Sequence, residues 1–239
     1  MTHPAPPARP SRPTGPDPTL RSALDALDAA LAPFTERPHP QRGCTHCYSP
    51  ADLAALGGPA SAVPDELVRS VADEDPDHWD GFQALYRRMT PRILRLLTTG
   101  RLHADPAVVA ARLLAAGLPG RAAPERAAVA AVWSAWWHST LRTHPADHHV
   151  TEVLEAVAAA TGTLTPWLAV WTGTRTEAAD LHLADALDRW LPGDGLADLR
   201  LGPHGGLHAT PVLLPWLLSL DEGRIGAAQL FETERIAYS

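Results

Sequence analysis

The 239-residue chain predicts an all-α fold, a multi-helix domain behind a proline-rich amino-terminal tail. Three observations carry that expectation. Apolar residues recur at separations of three and four along most of the chain, the repeat of one face of a helix. Cap-plus-proline pairs (Asp17-Pro18, Ser49-Pro50, Thr90-Pro91, Asp105-Pro106, Thr165-Pro166, Thr210-Pro211) stand directly before those apolar stretches. The side-chain oxygen of the first residue accepts an orphan amide, and the proline lacks the amide that would otherwise go unpaired. Strict apolar/polar alternation, the mark of a strand, is almost absent.

Residues 1–18 hold seven prolines among Ala, Thr, Arg and Gly, and read as a disordered tail. Asp17 and Pro18 then cap a helix whose stripe is Leu20, Leu24, Leu27 and Leu31, expected to end at Pro33. Ser49-Pro50 opens the next helix, just after Cys44-Thr45-His46-Cys47-Tyr48. Helices over 65–75 and 77–89 are separated by Pro76, and Thr90-Pro91 starts a new one with Ile93, Leu96 and Leu97 inward, closing at Gly100. Asp105-Pro106 leads to Gly117, and a longer helix over 124–142 carries Val129, Val132, Trp133, Trp136, Trp137 and Leu141. Asp147 is expected to cap a helix that stops at Gly162. Thr165-Pro166, Thr174 or Thr176, Thr210-Pro211 and Asp221 open the last four. The folded part is read as one helical domain over 19–239, with a subdivision point near 143–147.

Size and composition limit the function classes. With 45% apolar residues the chain can bury a sizeable core. Apolar runs such as Val212–Leu218 fall well short of the roughly 20 residues that cross a bilayer. The start has no apolar signal region, so the sequence predicts a cytoplasmic protein with no membrane partner. There is no lysine and no asparagine, a bias that codon composition explains, so an arginine carries less information than usual. A net charge of -7 argues against nucleic acid as a partner, because that binding neutralises phosphates with a basic surface. Arg87, Arg88, Arg92 and Arg95 form the densest basic cluster; Arg92 and Arg95 read as a solvated face pairing with Asp73, Glu74, Asp75 and Asp77, with an anion site at the cluster as the other reading.

Cys44 and Cys47 are the only cysteines, and a C-x-x-C spacing lets two sulfurs converge on one ion or on each other. A zinc site needs further ligands, for which His39 is near in sequence and the pairs His144/His148 and His204/His208 have suitable spacing. The sequence reading selects Cys44, Cys47, His144 and His148. Cys-Thr-His-Cys also resembles the active-site motif of thioredoxin-fold disulfide oxidoreductases, which implies Cys44 as the attacking thiol. No βαβ pattern surrounds the motif, a departure from that family. The plainest reading is two reduced cysteines packed beside Tyr48.

Two acidic-histidine groups, His144–His149 with Asp147 and Asp77-His78-Trp79-Asp80, each offer a carboxylate to orient an imidazole for proton transfer or metal binding. Glu177, Asp180, His182 and Asp185 share a helix, but Asp180 and His182 point about 200° apart and make no ready metal face. Trp133/Trp137 and Trp167/Trp171, each four apart, read as core anchors. No nucleophile elbow, phosphate loop or dinucleotide fingerprint is found.

The run Gly43–Tyr48, the segment Leu85–Ile93 and the ending Leu217–Ser239 resemble uncharacterised all-helical proteins of high-G+C bacteria, a likeness that implies fold and compartment but no activity. The Thr-Pro starts at 165 and 210, 45 residues apart, resemble the spacing of HEAT-like helical pairs, though the one at 90 is out of step. The sequence therefore predicts a non-enzymatic cytoplasmic helical interaction or scaffold protein with a protein partner and a structural zinc site at Cys44/Cys47. The alternative is a metal- or thiol-dependent enzyme using Cys44, Cys47 and the clustered histidines.

Overall fold

The computed structural model describes residues 17–221 and 223–238. The expected tail therefore lies outside the described residues, except for Asp17 and Pro18, which form the cap and first turn of α1 (Pro18–Thr35). Helix makes up 68% of the structure and strand 4%, so the fold is all-α. In chain order the elements continue as β1 (Arg42–Gly43), α2 (Pro50–Gly57), α3 (Asp65–Asp73), β2 (Trp79–Asp80), α4 (Phe82–Thr98), α5 (Pro106–Ala115) and α6 (Ala123–Arg142). After them come α7 (Val150–Thr161), α8 (Thr165–Gly173), α9 (Glu177–Trp190), β3 (Arg200–Leu201), β4 (Leu207–His208), α10 (Thr210–Leu218) and α11 (Ala227–Tyr238).

The leucine stripe of α1 is fully buried, and the helix lies against both α4 and α6. In turn α5 packs on α7 and α4, while α6 meets α7, α8 and α9. Buried apolar side chains from Leu20 to Ile236 form one connected cluster. Among the described residues no helix is long and apolar enough to cross a membrane.

Asp17, Ser49 and Asp105 cap helices where their pairs place them, Ser49 in a full capping box with Asp52; α8 and α10 start at Thr165 and Thr210, but the cap positions are Leu164 and Ala209 and neither threonine caps. Thr90-Pro91 starts no helix. There α4 runs straight through, with Pro91 inside it. The reason is packing. Leu85, Tyr86, Met89, Ile93, Leu94 and Leu97 stay in phase across the proline and are all buried. At roughly 1.5–3 kcal/mol each, they outweigh the roughly 3 kcal/mol that an interior proline costs. Thr90 instead turns inward, and its hydroxyl donates to the Tyr86 carbonyl at 2.7 Å. Pro33 is likewise carried inside α1, close to its end.

Three other boundaries differ from expectation. Residues 76–81 form a 3₁₀ turn, a two-residue strand and the left-handed Gly81 (φ 73°) rather than the start of a helix. At α7 the cap is His149, whose Nδ1 accepts the Thr151 amide, and not Asp147. The last helix begins at Ala227 instead of Asp221, because the preceding loop is held by a buried clamp. In that loop Arg224 donates to Asp180 at 2.7 Å and to the carbonyls of Trp171, Thr172 and Thr174 at the end of α8. Those carbonyls are the ones a helix terminus leaves unpaired.

The arginine cluster is absorbed by structure, with partners other than the acidic run. Arg87 pairs with Glu125, Arg92 with Asp65, and Arg95 with Asp25 and Asp28. Arg88 is buried and donates to the carbonyls of Leu56 and Gly58 at the end of α2.

Candidate metal centre

The site is assembled by the shortest sheet a protein can have. β1 and β2 pair antiparallel, with Gly43 opposite Trp79 and Arg42 opposite Asp80. Glycine at 43 is required by space. A Cβ there would stand 2.8 Å from the His78 carbonyl and 2.8 Å from the Trp79 ring. This close approach lets the Cys44 amide donate to the His78 carbonyl at 2.8 Å, which indexes the cysteine turn to the histidine.

The chain then curls around Cys44. The amides of Cys47 and Tyr48 donate to its carbonyl at 3.2 and 3.0 Å. Tyr48 is buried and tilts onto Trp79 at a ring separation of 4.3 Å. Its hydroxyl is 2.7 Å from Ser70 Oγ and donates to Glu74 at 3.1 Å, and burial pushes it up to about 12. The aromatic pair thus anchors the turn to α3 from below.

The two sulfurs and one imidazole gather above this anchor. The ligating atoms of Cys44, Cys47 and His78 all lie within 4.8 Å of one another, a group that could hold a metal ion. Cys47 Sγ is 3.5 Å from His78 Nδ1. Glu74 stands beside them, with Oε1 3.6 Å from the same nitrogen. The two thiols are unlike. Backbone amides of Cys47 and then His46 aim at the Cys44 sulfur, and with the Cys47 thiol they hold its pKa below the ordinary range. Cys47 is pushed up by the hydrogen bond it gives Cys44, by partial burial and by the negative charges of Cys44 and Glu74. The turn thus favours the thiolate of Cys44 over that of Cys47, and the thiolate is the form that binds metal.

Two sulfurs and an imidazole are donors that transition ions accept. Bonds of about 2.3 Å to sulfur and about 2.0–2.1 Å to imidazole nitrogen, at a tetrahedral angle, put the two atoms roughly 3.5 Å apart. That is the separation found between Cys47 and His78.

The structure divides the four-residue set read from the sequence: Cys44 and Cys47 come together with His78 from the acidic-histidine group beside them, while His144 and His148 stand elsewhere. His144 is 2.8 Å from Asp185 on α9. His148 donates to the Leu97 carbonyl at 2.9 Å and stands edge-on to Trp136. Neither ring has reason to leave its partner for a distant sulfur. His208, of the other spaced pair, is 3.3 Å from Asp198. The signal missed was long-range: a two-residue strand pairing has no sequence pattern, and only the small residue at Gly43 hints at a close crossing.

No family model, curated protein or solved structure matches the chain. The site must therefore be read from its own geometry.

Proposed function

We propose that the chain is a non-enzymatic, cytoplasmic helical interaction protein in which Cys44, Cys47 and His78 hold a zinc ion as a structural staple. The observation that carries the metal reading is the 3.5 Å between Cys47 Sγ and His78 Nδ1, the sulfur–nitrogen edge of a zinc tetrahedron. The ion would tie the turn after β1 to the turn before β2, adding to the two-residue ladder, the Cys44–His78 backbone bond and the Tyr48–Trp79 contact. Glu74, with Oε1 3.6 Å from His78 Nδ1, is a candidate for the fourth position. Two free cysteines suit a reducing compartment. The interaction reading draws on Phe231 and Tyr238, seven residues apart on α11, which are 69% and 83% exposed.

Cobalt substitution tests the staple. The full chain loaded with cobalt(II) is expected to show thiolate-to-metal charge-transfer absorption, lost in Cys44→Ser, and chelation is expected to lower the melting temperature. Cobalt binding without that absorption would refute sulfur ligation.

One observation favours a second reading, a metal- or thiol-dependent enzyme: Cys44 is the more acidic thiol and three protein ligands leave a position open. An exchangeable water on the loaded ion would support it, and Glu74 as a fixed fourth ligand would support the staple.

A further inference from the structure

A second group of ligating side chains lies at the far end of α6, away from the sulfurs. α6 ends at Arg142, Thr143 is extended, and His144 follows in the loop. Facing it, α9 carries His182 and Asp185 three residues apart, a spacing that sets both on one side of the helix. The ligating atoms of His144, His182 and Asp185 all fall within 4.8 Å of one another. His144 Nε2 is 2.8 Å from Asp185 Oδ2, and the two imidazole rings meet edge-on at 4.7 Å.

The surroundings of His182 are those of a prepared ligand. It is 2% exposed, and its Nε2 is 2.9 Å from the Thr143 carbonyl. A carbonyl only accepts, so Nε2 is the donor in that contact. Such a bond to a backbone carbonyl is one that metal-bound histidines make to their outer partners. The other two groups reach water: the side chains of His144 and Asp185 are 22% and 44% exposed. An ion could enter from that side.

We propose that His144, His182 and Asp185 form a second divalent-metal site, built from two imidazoles and one carboxylate. Its ligand is a borderline transition ion of the zinc, nickel or cobalt class, since the set contains no sulfur. Three protein donors leave coordination positions open toward solvent, where water or an oxygen-donor ligand would bind. This site stands independently of the thiol site.

The test uses the full chain without a histidine tag, stripped by chelator, with both cysteines alkylated. Titration with nickel(II) or zinc(II), followed by calorimetry, is expected to show one remaining equivalent. Outer-shell partners already account for roughly 10- to 100-fold in metal affinity, so losing a direct ligand should weaken binding at least tenfold. Asp185→Asn and His144→Gln, both at partly exposed positions, are each expected to do so while the melting curve of the metal-free chain stays in place. Asp188→Asn, one turn further along α9, should leave binding unchanged. The proposal is overturned if the alkylated chain takes up no ion, or if Asp185→Asn and His144→Gln bind as the unaltered chain does. Uptake by the alkylated chain combined with no thiolate absorption from the native one would sink the sulfur site and leave this one standing.

Discussion

The backbone amide of Cys44 donates to the carbonyl of His78 at 2.8 Å, so the thiol turn and the imidazole are placed by main chain before any ion binds. A site positioned this way costs little reorganisation on loading, and its geometry depends on how closely β1 and β2 approach.

Gly43 controls that approach. Gly43→Ala forces a methyl group against the His78 carbonyl and the Trp79 ring, an overpacking cost of about 1–3 kcal/mol, and pushes the histidine away from the sulfurs. Weaker zinc affinity is expected although no ligand is touched. Competition with a chromophoric chelator measures it; an unchanged affinity would show that the strand crossing does not set the site.

The two thiols should titrate apart. Without metal, alkylation of Cys44 is expected to begin at lower pH than alkylation of Cys47, since amides stabilise one thiolate while the hydrogen bond that Cys47 gives Cys44 retains the other proton. Mass spectrometry of each peptide across a pH series gives both profiles, and zinc should suppress both. Coincident profiles would contradict the described turn.

How much of this was legible in the sequence depends on range. Local chemistry was readable: Asp17, Ser49, Asp105 and Thr176 cap helices as their side chains predict. Leu20, Leu24, Leu27 and Leu31 face inward as their spacing predicts. Thr90-Pro91 misled because the same pair that starts a helix can sit inside one when a continuous apolar face outweighs the lost hydrogen bond. The helix-wheel argument excluded Asp180 with His182 and so passed over Asp185, which shares a face with His182 and meets His144 only through the packing of α6 on α9. His78 was visible as a histidine among acids, but its pairing with the sulfurs depends on a ladder too short to leave a pattern.

Trp137 illustrates what the core contributes. It is fully buried, its indole donates to the Trp167 carbonyl at 3.0 Å, and it meets Trp171 edge-on at 5.4 Å, joining α6 to α8. Trp137→Ala should cost about 3–5 kcal/mol in urea unfolding. A loss below about 1 kcal/mol would mean that the site collapses freely or is not packed as described.

Glu155 on α7 sets a pH dependence. Burial raises its carboxyl above the ordinary value of about 4.3, although the Gly202 amide donates to it at 2.7 Å. Between the unfolded and folded values the native state holds a proton that the unfolded state has lost. Stability therefore falls as pH rises through that window, and the loss persists at neutral pH. Glu155→Gln, which keeps an acceptor for Gly202, is expected to melt higher at pH 7 and to show a flatter profile from pH 4 to 7. A lower melting temperature at pH 7 would mean that ionised Glu155 stabilises the fold.

X-ray absorption at the zinc edge of the loaded chain bears most directly on the central claim. In a chain carrying His144→Gln and Asp185→Asn, so that only the sulfur site loads, two sulfur scatterers at about 2.3 Å with one imidazole, the imidazole signal lost on adding His78→Gln, is the predicted result. A shell of nitrogen and oxygen alone, unchanged in Cys44→Ser, would contradict it.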